Sequence, residues 1–516
     1  MGVFFGYNSG MMPSRIIPSG CLFLALACGL FCVEVAPLAG QSAGQPEKKP
    51  PAYRFWTSAS GEYKVAAAFL GVEDGTVRLL KRDGTTLRVA LEKLSQADQD
   101  WVANHSATPA AKPETPLPAK VHTVPARKAE TAPAADQWPC WLGPNHDGKS
   151  SDRGLLRAWP EGGPKLLWKA PDLGKGWSGV AVAGGTVYIT GAANGALVLH
   201  ALHLDGTPKW KVENGRAYTG DHPGARATPT IDGDNLYLLS GTGRLGCFDA
   251  RSGKPHWAVE AKQFGGQPGG WGYAESVLIC GRLAVFKPGG RACIAALDKL
   301  TGKPIWASQG FSAGPEYGSC LPLVWQNVPM IVTGTREGIV AVNARTGMLL
   351  WQNKFAAGNT ANCPTPAAGD GYVFWANGYG KGGICLKLGP RGTASEAWTT
   401  GEMDCQHGGY IIDKGYIYGN NGGGWACLDL RTGEKKWSEH GVGKGSLCWA
   451  DGMLYLFSEQ HGQAALATCS PDGLKITGRV KVQGEGESWA HPVVVGGRLY
   501  LRYDTTLYCF DVRAGS

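Results

Sequence analysis

One unit recurs from Trp138 to the end of the 516-residue chain. It reads as an apolar strand, a Gly/Asp turn, a strand ending in Tyr, a Gly-rich turn, a strand ending in Leu/Phe-Asp, a Thr-Gly or Asp-Gly turn, and a strand carrying Trp. Residues 184–210, 232–257 and 413–437 are clear copies. The closing positions are Trp168, Trp210, Trp257, Trp306, Trp351, Trp398 and Trp437, with Val480 in the eighth place, at intervals of 39–49 residues. Four short strands at that period are the signature of propeller blades. The predicted fold is therefore all-β, with eight four-stranded blades. The last copy ends at Ser516 before its Trp strand, while the strand around Trp168 has no blade before it. That early strand is predicted to complete the C-terminal blade, which closes the ring and removes an open edge.

Composition agrees with a turn-rich β protein. Glycine is 77 of 516 residues, which would be costly in helix interiors. The net charge of +8 comes without a dense Lys/Arg run, which argues against nucleic acid or an anionic membrane surface as a partner. There are 15 cysteines. Cys247, Cys427 and Cys509 each stand two residues before an Asp, and Cys385 is nearly in phase. Equivalent strand positions in different blades should not meet, so these read as small buried hydrophobes rather than disulfide partners. No Cys/His spacing suggests zinc. The repeated Trp residues read as inter-blade packing.

The N-terminal stretch carries Arg15 and then the apolar run Cys21–Val33. It reads as a signal peptide within residues 1–39, with an uncleaved anchor or a lipoprotein signal at Cys28 as alternatives. Each places the remainder outside the cytoplasm, in the periplasm or cell envelope. Residues 106–136 are rich in Ala, Pro, Thr and Lys, the composition of an extended linker. Between the two, residues 52–105 alternate apolar and polar residues around Ser-Gly and Asp-Gly turns. Ser95 and Asp98 are placed to cap a short helix ending near Trp101 and Val102. Trp56, Phe69 and Trp101 read as its core. The expectation is a small SH3-like barrel.

The order RFW, SGEYKVAAAF, DGTVRLL, then DGTTLRVALEKLSQADQDWV resembles the Sla-homology domain of yeast endocytic adaptors. The resemblance implies an SH3-like fold and a short-peptide ligand containing Asn-Pro-Phe and an acidic residue. Residues 138–516 resemble quinone-dehydrogenase-type propeller repeats, also found in the BamB outer-membrane assembly factor and in exported propellers of planctomycete-like bacteria. The matching stretches are WPCWLGPNHDGKS, WGYAES, NCPTP, HGGYIIDKGYIYG, GKGSLCWADGMLYLFSE and WAHPVVVGGRLYLR.

In a propeller the loops entering the inner strands form one face of a central funnel. Aligning the copies places Trp177, Arg226, Tyr273, Cys320, Cys363, His407, Lys444 and Trp489 at that mouth. Asp221, His222, Glu275, Glu316, Asn362, Asp404, Gln406, Glu487 and His491 lie nearby. The candidate binding set is Trp177, Arg226, Tyr273, Glu275, Asn362, His407, Lys444, Trp489 and His491, since polar and aromatic residues converging on a concave mouth suit a ligand or partner. No catalytic or metal-ligating residue is assigned. The layout suggests a non-catalytic scaffold for protein or peptide partners, with no cofactor. The second reading is a quinoprotein dehydrogenase using pyrroloquinoline quinone and Ca²⁺. Members of that family hold the cofactor with a disulfide of adjacent cysteines, Glu and Asn ligands to calcium, and a catalytic Asp. This chain has no Cys-Cys dipeptide and no recognisable calcium set.

Overall fold

A computed structural model describes residues 53–73, 75–81, 85–105, 136–358 and 361–515. The segment expected to be a signal peptide and most of the expected linker lie outside the described residues. So do Asp74, Asp83 and Gly84 of the two Asp-Gly turns. The chain divides into two compact units, residues 1–121 and 122–516.

The first unit is a four-stranded antiparallel meander, Tyr53–Thr57, Lys64–Glu73, Thr76–Lys81 and Thr86–Ala90, followed by the helix Gln96–His105. Trp56, Phe69 and Trp101 pack together with ring centroids 5.3–5.8 Å apart, as their alternation predicts. The cap forms too: Ser95 Oγ accepts from the Asp98 N–H at 3.4 Å and donates to the Asp98 carboxylate at 2.9 Å. Asp98 also accepts from Arg54 Nη2 at 2.6 Å and from the Thr57 N–H at 2.8 Å, so one carboxylate ties the helix start to the first strand.

The second unit contains eight sheets among its described residues, each of four strands except one with an added fifth. The short inner strands of successive sheets lie side by side, for example Thr230–Asp232 between Ala181–Ala183 and Leu278–Cys280. The last sheet is Val493–Val495, Arg498–Tyr503, Thr506–Asp511 and then Lys165–Ala170. Cys509 faces Trp168 across that final pairing. The early strand thus completes the C-terminal sheet.

The repeat has a physical cause. Where the closing residue is Trp it sits opposite a small residue of the third strand: Ala201, Cys247, Cys427 and Cys509 face Trp210, Trp257, Trp437 and Trp168, for example. A Tyr on the second strand completes the row, 6.0 Å from the indole in the pairs Tyr188–Trp210, Tyr237–Trp257 and Tyr500–Trp168. A larger residue at the cysteine position would part the two rings. Burial pushes the Cys247 and Cys427 thiols up to about 12, so they behave as apolar filler. The indole then reaches the next sheet. Trp168 Nε1 donates to the Leu204 carbonyl at 2.8 Å, and Trp257 Nε1 to that of Lys299 at 3.1 Å. A Cβ on Gly206 would lie 2.6 Å from the Trp168 ring, and one on Gly302 2.7 Å from that of Trp257. Gly206, Gly253, Gly302, Gly347 and Gly433 are thus each the socket for the preceding unit's tryptophan.

Arg502 adds a second lock between the last sheet and the first. It is 2% exposed. Its guanidinium donates to Ser178 Oγ at 2.8 Å and to the carbonyls of Thr190, Gly174 and Asp504 at 2.5, 2.9 and 3.1 Å.

Candidate functional site

Five equivalent positions, each just ahead of an inner strand, carry Gly179, Thr228, Ser276, Ser319 and Thr365. They form a ladder around the axis. The backbone N–H of each residue donates to the hydroxyl of the next, from Gly179 to Thr228, Thr228 to Ser276, Ser276 to Ser319 and Ser319 to Thr365, at 2.9–3.1 Å. The same register then runs through Gly409, Ser446 and His491. Ser446 Oγ donates to the Ala490 carbonyl at 2.9 Å. The His491 Nε2–H reaches the His407 carbonyl at 2.8 Å, over Gly409, where a Cβ would approach the imidazole to 3.0 Å.

A segment outside the repeat crosses this ring. Trp138 bridges Val182, and the Pro139 carbonyl accepts from the Ile231 N–H. Trp141 Nε1 donates to Thr365 Oγ1 at 3.1 Å, and its ring packs 4.6 Å from His491. Lys149 then pairs with Asp413 at 2.8 Å, and Lys149–Ser150 adds a parallel fifth strand to Gly445–Ala450. Residues 138–150 therefore run from the first two sheets to the fifth, sixth and seventh. Trp141 lines both the main cavity and a small second one, and so stands between them.

The main cavity holds about 400 Å³, within the usual range for small-molecule sites. One wall is an aromatic stack. His407 lies flat on Trp489 at 4.3 Å, Trp177 follows at 4.6 Å, and His222 sits 5.1 Å from Trp489. Arg226 continues this wall, with its guanidinium 4.4 Å from the Tyr218 ring centre and 5.4 Å from that of Trp177. Trp271 and Tyr317 form a second pair, 6.0 Å apart and inclined at 65°. Tyr379, Gln406, Glu459, Gln460 and Glu487 line it as well, with Cys363 and the ladder residues Ser276, Ser319 and Thr365.

Of the nine candidate residues, Trp177, Arg226, His407 and Trp489 line this cavity. The structure draws the other five back. Tyr273 is core, donating its hydroxyl to the Pro288 carbonyl at 2.9 Å. Glu275 is 2% exposed and accepts from the Lys287 backbone N–H. Asn362 is 1% exposed; its side chain bonds both the N–H and the carbonyl of Ala357, and its N–H donates to Glu316 at 2.7 Å. Lys444 stands behind the wall, pairing with Glu459 at 3.0 Å and donating to Gln406. His491 packs under Trp141. Alignment finds the entrance of each inner strand, but it cannot tell a side chain facing the axis from its neighbour facing the sheet. Trp141, Tyr379, Glu459 and Gln460 were missed for another reason: they come from the crossing segment and from loops between second and third strands.

Burial holds His491 near 4. It holds His407 near 3, helped by the charges of Lys444, His222 and His491. Unfolded, each imidazole would take a proton near pH 6.5. Folding thus keeps them neutral, and their contribution to stability is complete above about pH 6.5 and is lost as pH falls toward 4. Glu275, pushed up to about 7 by burial against the opposing pull of Lys287, acts in the opposite sense between its ordinary value and 7. The expected result is therefore a difference. His491→Gln should lose less melting temperature than the parent between pH 6.5 and 4.5, measured by circular dichroism. Parallel pH curves for the two proteins would refute the assignment.

Comparison with known proteins follows from this geometry. A family profile described as outer membrane protein assembly factor BamB matches residues 152–318 and 196–439. The SLA1 homology domain 1 profile matches residues 44–109. The actin cytoskeleton-regulatory complex protein SLA1 of Mycosarcoma maydis is 42% identical over 62 residues, which is 12% of this chain and 5% of that protein. The match therefore spans only a twentieth of that curated relative. Among solved structures, a europium-containing methanol dehydrogenase aligns at TM-score 0.56 and 13% identity, covering 71% of this chain and 89% of that one. A quinohemoprotein alcohol dehydrogenase from Comamonas testosteroni aligns at 0.54 and 13%, covering 74% and 81%. BamB from Moraxella catarrhalis aligns at 0.49 and 15%, covering 68% and 98%. Identities this low speak for the fold alone.

Proposed function

We propose, starting from a chain that belongs to the BamB-type propeller family and carries an SLA1 homology domain, that it is a non-catalytic binding protein of the cell envelope. Its N-terminal segment serves export or anchoring. Its SH3-like unit and its funnel are two recognition sites joined by a Pro-rich linker, a layout that gains avidity by tethering. Both named families are protein-interaction modules, which suits protein or peptide partners for this chain.

The observation that carries this reading is that Glu275, Glu316 and Asn362, the carboxylate and amide groups nearest the mouth in the repeat, are taken up within the protein. A calcium-held quinone needs carboxylate and amide oxygens free to converge on one ion. Here Glu275 and Glu316 each accept a backbone N–H, Glu316 also pairs with Arg336, and the Asn362 amide closes its own loop. Among the described residues no three His, Cys, Asp or Glu side chains are grouped to hold a metal. The donor set does not fit the quinoprotein cofactor.

The test is titration of the full chain with pyrroloquinoline quinone and Ca²⁺, followed by absorbance and tryptophan quenching. The expected result is no saturable binding. One-to-one binding that a chelator abolishes would overturn the non-catalytic reading.

A further inference from the structure

We infer that the funnel pocket binds an acidic sugar, with Arg226 receiving its carboxylate. This rests on the reading of the funnel as a binding site and names its ligand class.

Arg226 is the first reason. Its guanidinium donates only to carbonyls, those of Gly224 at 2.7 Å and His222 at 2.6 Å, with Asp221 at 3.4 Å. It forms no ion pair with a carboxylate of the described residues. Burial lowers it to about 10, so it stays protonated at neutral pH. The two stacked rings and the two carbonyls fix its plane. A fixed, half-buried, uncompensated guanidinium favours a planar carboxylate, which it can bind through two parallel bonds. The acid closest in kind, Glu459, is already matched by Lys444.

The aromatic surfaces are the second reason. Trp489 is covered by His407 at 20° and by Trp177 at 33°, so it offers no open slot for a flat ring. The other pair, Trp271 and Tyr317, is inclined at 65°. Inclined planes do not sandwich a flat heteroaromatic ligand, but they do meet the C–H faces of a puckered pyranose. The third reason is the remaining lining. Gln406, Gln460 and Glu487 bring planar donors and acceptors suited to ring hydroxyls, beside the Trp141 ring.

The experiment is calorimetric titration of the full chain with a galacturonic acid disaccharide and with its neutral galactose counterpart. The expected result is saturable one-to-one binding of the uronate, about tenfold or more tighter than the neutral sugar. Arg226→Gln should remove that preference while leaving the melting temperature near that of the parent. Trp271→Ala should weaken both sugars. Equal affinity for the two sugars, or uronate binding unmoved by Arg226→Gln, overturns the inference. No uronate binding in the parent, with quinone binding also absent, defeats the ligand class and leaves the non-catalytic reading intact. Shortening of the disaccharide in the mass spectrum defeats the non-catalytic reading and leaves the ligand class standing.

Discussion

Deleting residues 136–170 should leave no soluble monomeric protein. The deletion removes two devices at once. One is the strand Lys165–Ala170, without which Thr506–Asp511 becomes an unpaired edge carrying Leu507, Cys509 and Phe510. The other is the crossing segment that seals the axis with Trp138 and Trp141. An exposed apolar edge templates pairing with another chain. The ring would also lose Trp168, whose indole bonds Leu204 and packs on Gly206 of the first sheet. Size-exclusion chromatography should show aggregate in place of a monomer peak. Recovery of a monomer melting within about 5 °C of the parent would contradict the closure described above.

Arg502→Ala is expected to be the most damaging single substitution. It strips donors from the carbonyls of Gly174, Thr190 and Asp504 and from Ser178 Oγ, all at the seam between last and first sheets. Leaving buried acceptors unpaired costs on the order of 1–3 kcal/mol each, so a total loss of about 3 kcal/mol or more is expected. Arg502→Met separates two causes, because it refills the volume without restoring donors. Both variants should melt lower, with Met recovering part of the loss. A melting curve for Arg502→Ala that overlays the parent would show that the seam is held by packing alone.

Much of this architecture is legible in the residues themselves. The tryptophan spacing, the turn glycines and the Cys-x-Asp triplets repeat because one packing problem is solved again at every sheet. Trp168 was assigned to the last sheet from the count alone, and it lies opposite Cys509. The SH3-like unit was equally readable, down to the Ser95–Asp98 cap. The funnel was less so. Trp177, Arg226, His407 and Trp489 were found because they occupy the repeat register. Tyr273, Glu275 and Asn362 lie one residue off that register, which Ala274 and Cys363 occupy in the cavity lining, so their side chains turn into the protein instead. Trp141 lies in a segment that no other copy resembles, so periodicity carried no information about it.

The seam between Trp168 and Cys509 also sets an order in time. The strand Lys165–Ala170 precedes every other strand of its sheet, and its sheet partner among the described residues, Thr506–Asp511, follows all seven intervening sheets. Each intervening sheet can pair within itself as it emerges, whereas the early strand must wait for Thr506–Asp511 before it completes a sheet. Contacts this distant along the chain are slow to form. The protein therefore passes through a long interval as an open arc with two sticky ends.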